Sequence, residues 1–289
     1  LALAALEQDI LDPDTRIICR GFYTLPGGSH RYRDWKAGGH GFVDLHDAIA
    51  ESCDTYFYRL ANNLGIDAIS GSLRDFGLGS PTGIDMAGEN RGLVPSRAWK
   101  REKFANSGDQ MWFPGETVIT GIGQGFLLAT PLQLAHAVAT IATRGERYQP
   151  LMVRGLRNPV TGETEFRHSR LLAPVEVTDA TNWQLIIDSM TSVMQGPSGT
   201  ARASGKGATY SIAGKSGTSQ VFTLTQDQEY DDKEIDETKR DHALFIAFAP
   251  VENTTIALAV VVENGGSGSA VAAPIARQVL DTFLGNRPL

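Results

Sequence analysis

Two short runs hold residues that could do chemistry together. Lys215-Ser216-Gly217, within "SIAGKSGTSQVF" (211–222), puts an ammonium, a hydroxyl and a glycine where an apolar run turns polar. Ser52-Cys53-Asp54 lies 163 residues earlier, between two helical stretches. A lysine on an edge strand followed by a hydroxyl and glycine can line a cleft. The glycine then lets a substrate backbone approach closely, and the lysine pairs with a carboxylate. A K-[ST]-G triplet accompanied by an S-D-N-like element is the companion set of a serine acyl-transfer nucleophile of the form S-x-x-K. That nucleophile is not in this chain: none of its serines has a lysine three positions on, and no G-x-S-x-G elbow occurs.

Phosphate chemistry is the rival for "GKS". A phosphate loop needs glycine five positions before its G-K-[ST], where this chain has Thr209, and must open a helix. Here "SQVFTL" continues as a strand. "GIGQGF" (121–126) lacks the third glycine of a dinucleotide fingerprint. Both nucleotide readings fail.

These groups need a scaffold, and 289 residues with 42% hydrophobic content can supply a large core. A net charge of -7 and 8% aromatics exclude a basic or stacking surface for nucleic acid. No run of about 18 apolar residues spans a bilayer, and "LALAALEQDILDPDTR" lacks the basic start of a signal peptide. It reads as a helix over 1–11 already under way. Residues 16–43 read as loop. A helix over 44–64 is interrupted at "SCD" and ended by Gly65, and further helices fall at 66–76, 131–144 (Pro131 in the first turn) and 180–195. "YSIAGKSGTSQVF", "HALFIAFAP" and "TIALAVVVEN" read as three strands, and "AVAAPIARQVLDTFL" as a closing helix. The acidic run 225–241 reads as a solvated loop. The expected class is one α/β domain on an antiparallel sheet.

With these pieces in place, the chain resembles the transpeptidase domain of class B penicillin-binding proteins, specifically the elongation type, penicillin-binding protein 2. The match is carried in order by "LPGGSHRYRDWKAGGHG", "ESCDTYFYRLANNLGID", "TGID", "GIGQGFLLATPLQLA", "GTA" (199–201), "AGKSGTSQVF", "RDHALFIAFAP" and "VVVENGG". The resemblance implies a serine β-lactamase-like fold, a mostly antiparallel sheet flanked by helices, over 1–289. It also implies that the domain is incomplete at its N-terminus, with the S-x-x-K serine just before Leu1. The implied activity is D,D-transpeptidation of peptidoglycan stem peptides without a catalytic cofactor, inhibited by β-lactams. Ser52 would relay protons and Lys215 would supply positive charge. Ser216, Gly217, Thr218 and Ser219 would bind substrate, the Ser219 amide forming half of an oxyanion hole. Asp54 stands where many relatives carry Asn, and cannot donate an amide N–H.

Further implications are a periplasmic domain of an inner-membrane protein, with a SEDS-type glycosyltransferase and rod-shape proteins as partners. Cys19, Asp34, His40 and Cys53 are ligand types suited to tetrahedral zinc, and resemble a zinc pattern held by some relatives in this segment. Such a metal would brace the Ser52 loop from behind. A Cys19–Cys53 disulfide and two inert thiols are the other readings. His30, His46, His136, His168 and His242 are expected in packing or surface roles. A non-catalytic penicillin- or peptide-binding scaffold is the alternative function. A β-lactamase-like hydrolase is disfavoured because no deacylating glutamate can be assigned.

Overall fold

The computed structural model describes residues 1–221 and 236–285, so most of the predicted acidic loop, 225–235, lies outside the described residues. The chain opens with α1 (Ala2–Glu7), whose residues from Ala2 to Leu6 are all buried. The helix stops short of the predicted 11 residues because Asp9 turns to a left-handed φ of +53° ahead of the Asp12-Pro13 bend. Residues 16–43 are more ordered than a loop. Strands β1 (Ile17–Cys19), β2 (Phe22–Tyr23), β3 (Tyr32–Arg33) and β4 (Gly41–Val43) form two antiparallel ribbons, β1 with β4 and β2 with β3.

Helices α2 (Leu45–Ala50) and α3 (Asp54–Leu64) are broken at 51–53, as the sequence predicts. Asp44 caps α2 by accepting the Asp47 N–H at 2.9 Å, which satisfies an orphan amide of the first turn. α4 (Ile66–Asp75) follows Gly65. Two short helices were not expected, α5 (Arg97–Lys103) and α6 (Pro114–Thr120). The "RAWKREK" run of α5 looks solvated, yet Lys100 is wholly buried, with Glu116 at 2.5 Å and Asp109 at 3.5 Å tying α5 to α6. α7 (Pro131–Ala142) begins at Thr130, whose hydroxyl and backbone exchange hydrogen bonds with Gln133 in a capping box.

After the exposed hairpin of β5 (Gly155–Arg157) and β6 (Thr164–Phe166) come α8 (Thr181–Gln195) and the single turn α9 (Arg202–Gly205). The main sheet is then laid down by β7 (Ala213–Ser219), β8 (His242–Ala249) and β9 (Ile256–Val262), antiparallel in that order. A π-helical turn, Gly268–Ala272, leads into α10 (Ala273–Gly285). These three strands and the closing helix stand where the apolar runs predict. α8 packs on β7 and α10 on β8 and β9, giving an antiparallel sheet between helices.

Between those layers, Ile187, Met194, Ile212, Phe245, Phe248 and Leu280 are at most 1% exposed. Burying each such side chain stabilises by roughly 1.5–3 kcal/mol. This core fixes β8 in the centre and leaves β7 as an edge strand. From behind, the backbone of the π turn presses on β7: a Cβ on Gly268 would fall 2.2 Å from the Gly217 carbonyl oxygen and 2.4 Å from that of Leu244. Only glycine fits there.

Candidate active site

Ser52 occupies the break between α2 and α3 with a left-handed φ of +58°. That region costs an L-residue about 1–2 kcal/mol, so the surroundings must hold it. Trp35 does so. Its indole N–H donates to the carbonyls of Glu51 (3.1 Å) and Ser52 (2.9 Å), and its backbone N–H donates to Asp54 Oδ2 at 3.0 Å. The kinked backbone points the Ser52 hydroxyl at β7. Lys215, on that edge strand, reaches it: Nζ lies 2.7 Å from Ser52 Oγ and 3.0 Å from the Ser216 carbonyl oxygen. Two runs 163 residues apart thus meet at one hydrogen bond.

Burial lowers the Lys215 ammonium from 10.5 to about 8, against the opposing pull of the Asp54 charge. Burial raises Asp54 to about 7, helped by the nearby negative charge of Asp34 and opposed by the Trp35 amide and Lys215. The two shifts carry the lysine and the carboxylate from opposite ends of the pH scale toward neutrality, as burial beside a partner charge does.

The remaining predicted residues line β7. Ser216 Oγ lies 3.3 Å from Thr200 Oγ1, a hydroxyl of the "GTA" run that its residue type alone does not mark as part of the site. The edge has a polarity. The Thr218 carbonyl accepts from Gln124 Nε2 at 2.6 Å and the Gln220 N–H donates to Gln124 Oε1 at 3.3 Å, on the side away from β8. The N–H and C=O of one strand residue face the same neighbour. The amides of Ser216, Thr218 and Gln220 therefore face the open edge, while Ser219, opposite His242, faces β8. The strand thus presents the Thr218 amide to the cleft, and the expectation of a Ser219 oxyanion donor is corrected on this ground.

Cys19, Asp34, His40 and Cys53 converge behind the Ser52 turn, with one donor atom from each lying within 4.8 Å of the others. Asp34 Oδ2 is 3.4 Å from both sulfurs, and Oδ1 is 3.4 Å from His40 Nδ1. Amides of Thr55 (2.9 Å) and Lys36 (3.1 Å) orient the carboxylate. Both cysteines are free, so no disulfide joins them. Burial, with the Asp34 charge beside it, pushes the Cys53 thiol far up. Other histidines are engaged elsewhere, His136 with the Tyr148 carbonyl and His242 with the Asn264 amide.

A hydrogen-bonded serine–lysine pair, one member at a helix break and the other on an edge strand, thus sits in a fold of helices around an antiparallel sheet. Residues 1–281 match the penicillin binding protein transpeptidase domain, and the chain belongs to that family. It is 41% identical over 283 residues to the peptidoglycan D,D-transpeptidase MrdA of Salmonella typhimurium, covering 97% of this chain and 44% of that protein. Its fold superposes on PBP2 of Pseudomonas aeruginosa, solved in complex with WCK 5153, with a TM-score of 0.84 and 42% identity over 98% of this chain and 58% of the other. PBP2 of Helicobacter pylori, solved with MreC, gives 0.82 and 32% over 99% and 48%. The chain spans less than half the length of the curated MrdA relatives that it matches.

Proposed function

We propose that this chain is the transpeptidase domain of an elongation-type peptidoglycan D,D-transpeptidase, and the 2.7 Å contact between Lys215 Nζ and Ser52 Oγ carries the proposal. The attacking serine belongs to an S-x-x-K segment outside these 289 residues. Its Oγ loses a proton to the lysine of that segment and attacks the carbonyl between two D-alanines of a stem peptide. The C–N bond breaks, leaving the acyl group on serine. The segment's lysine returns that proton to the departing D-alanine amine through the Ser52 hydroxyl, which the Lys215 ammonium polarises without losing its own proton. The amine of a second stem peptide then displaces the serine, completing the cross-link.

Lys215 also attracts the substrate carboxylate, with the hydroxyls of Ser216, Thr218 and Thr200 close by. The Thr218 amide is aimed to receive the developing oxyanion, with the attacking serine's own amide as its partner. A β-lactam would acylate the same serine. Because the substrate lies outside the cytoplasm, we place the domain in the periplasm, as part of an inner-membrane protein. No helix among the described residues is long and apolar enough to cross a membrane. The Helicobacter PBP2–MreC complex supports a rod-shape protein as partner, alongside a SEDS-type glycosyltransferase.

Two thiols, an imidazole and a carboxylate at mutual contact suit zinc, and the amides on Asp34 supply the outer hydrogen bonds that such ligands need. Cys19, Asp34, His40 and Cys53 would hold the ion and brace the turn from behind. It would neutralise crowded donors and take no part in the acyl transfer. Metal analysis should return about one zinc per chain. Chelation should lower the melting temperature and expose two titratable thiols; an unchanged melting curve with no bound metal would remove the zinc.

Labelling of the longer protein, S-x-x-K segment included, with a fluorescent penicillin tests the function. Ser52→Ala and Lys215→Ala should each slow acylation by about 10²-fold or more. Equal labelling of both variants and the unaltered protein would refute the assignment.

A further inference from the structure

The loop after α6 carries "GIGQG" (121–125), which the chemistry above leaves unused. Gln124 stands between Gly123 at φ +81° and Gly125 at φ +74°, a left-handed backbone path that favours glycine. This turn presents the Gln124 side chain to the open edge of β7. Its carboxamide bonds there twice, Nε2 to the Thr218 carbonyl at 2.6 Å and Oε1 to the Gln220 N–H at 3.3 Å. A carboxamide carries a donor and an acceptor as a peptide group does. Gln124 therefore holds β7 as the backbone of an added strand would.

An extended peptide joining a strand edge pairs with the N–H and C=O groups of alternate residues. Along β7 and the residue that follows it, these belong to Ser216, Thr218 and Gln220. The Ser216 carbonyl already receives the Lys215 ammonium at 3.0 Å, and Gln124 takes the Thr218 carbonyl and the Gln220 amide. The Thr218 N–H is left facing the cleft. A ligand that brings an amide N–H to the Thr218 carbonyl must therefore replace the Gln124 donor, whereas a ligand without that N–H has no such exchange to make.

We propose that Gln124 is a specificity-determining residue whose side-chain amide stands in for the backbone of the acyl donor on β7 and is displaced by donors carrying their own amide N–H. The inference rests on the acyl-transfer function above and adds a competition that this function does not require.

The test uses the full-length protein with Gln124→Ala and the near-isosteric, uncharged Gln124→Met. Second-order acylation rates are measured with a penicillin, which bears an acylamino N–H, and with a carbapenem, which lacks one. Both variants should acylate faster with the penicillin by roughly 3- to 10-fold, the worth of one neutral hydrogen bond, and stay within about twofold for the carbapenem. A parallel fall for both ligands would make Gln124 a simple buttress and overturn the proposal. No change for either ligand would overturn it too. If neither ligand labels the unaltered protein, the acyl-transfer function itself fails and takes this inference with it, a result distinct from a lost selectivity.

Discussion

Replacing Lys215 by methionine separates what the ammonium does in the cleft from what it does to the fold. Burial holds this lysine at about 8 in place of 10.5. Below pH 8 it is charged in both the folded and the unfolded chain, and the folded state carries the full cost of keeping the charge from water. At about 1.4 kcal/mol for each pH unit, that cost is about 3 kcal/mol. Methionine fills similar space without charge but forfeits the bonds to Ser52 and the Ser216 carbonyl, about 1 kcal/mol each once water exchange is counted. The variant should gain about 1 kcal/mol at pH 7.5, or roughly 2 °C in melting temperature for a domain of this size. The pH dependence has a fixed sign. Between pH 8 and 10.5 the folded lysine releases its proton first, the unfolded chain holds more protons, and stability rises with pH. The unaltered chain therefore gains on the variant across that window. Thermal melts at pH 7.5 and 10 measure both effects, and penicillin labelling of the full-length variant should be nearly abolished. A variant less stable at pH 7.5, or an advantage unchanged at pH 10, would refute a charging cost at this site.

Ser52→Gly should be more stable than Ser52→Ala by about 1 kcal/mol in urea titrations, since φ +58° strains alanine and not glycine; both should lose acylation. Trp35→Phe keeps a ring but removes the indole N–H from the Glu51 and Ser52 carbonyls. Stability should fall by at most about 1.5 kcal/mol while acylation slows about tenfold, and unaltered acylation would release Trp35 from its positioning role.

Much of the scaffold is legible in the sequence because it is written in local patterns. The α2–α3 break at "SCD", the Thr130-Pro131 start of α7 and the apolar strands β7, β8 and β9 all carry their own period or punctuation. The two ribbons in 16–43 do not. Strands of two or three residues are too short to alternate, and their partners are fixed by tertiary pairing such as Ile17 with Val43. α5 is hidden for another reason: its buried Lys100 reads as surface until Glu116 is seen beside it. In the site, residue types name Ser52, Lys215 and the four clustered metal-type ligands. They do not name Trp35 or Gln124, which act through backbone carbonyls that any sequence offers. "RDWKAGGHG" places Trp35 beside Asp34, yet only the folded chain shows that neighbouring residues face opposite duties, Asp34 the buried donors and Trp35 the cleft. Strand polarity likewise separates Thr218 from Ser219, a distinction no composition can make.

The cleft has one stiff jaw and one sprung jaw. β7 cannot retreat, because the turn at Gly268 already touches the Gly217 carbonyl from the rear and β8 locks its inner side. Ser52 stands instead on a left-handed corner held by hydrogen bonds, from the Trp35 indole to its carbonyl, from its own amide to Ile49 and from Lys215 to its hydroxyl. Where the resting gap widens for a guest, that corner and the Gln124 side chain yield before the lysine strand does.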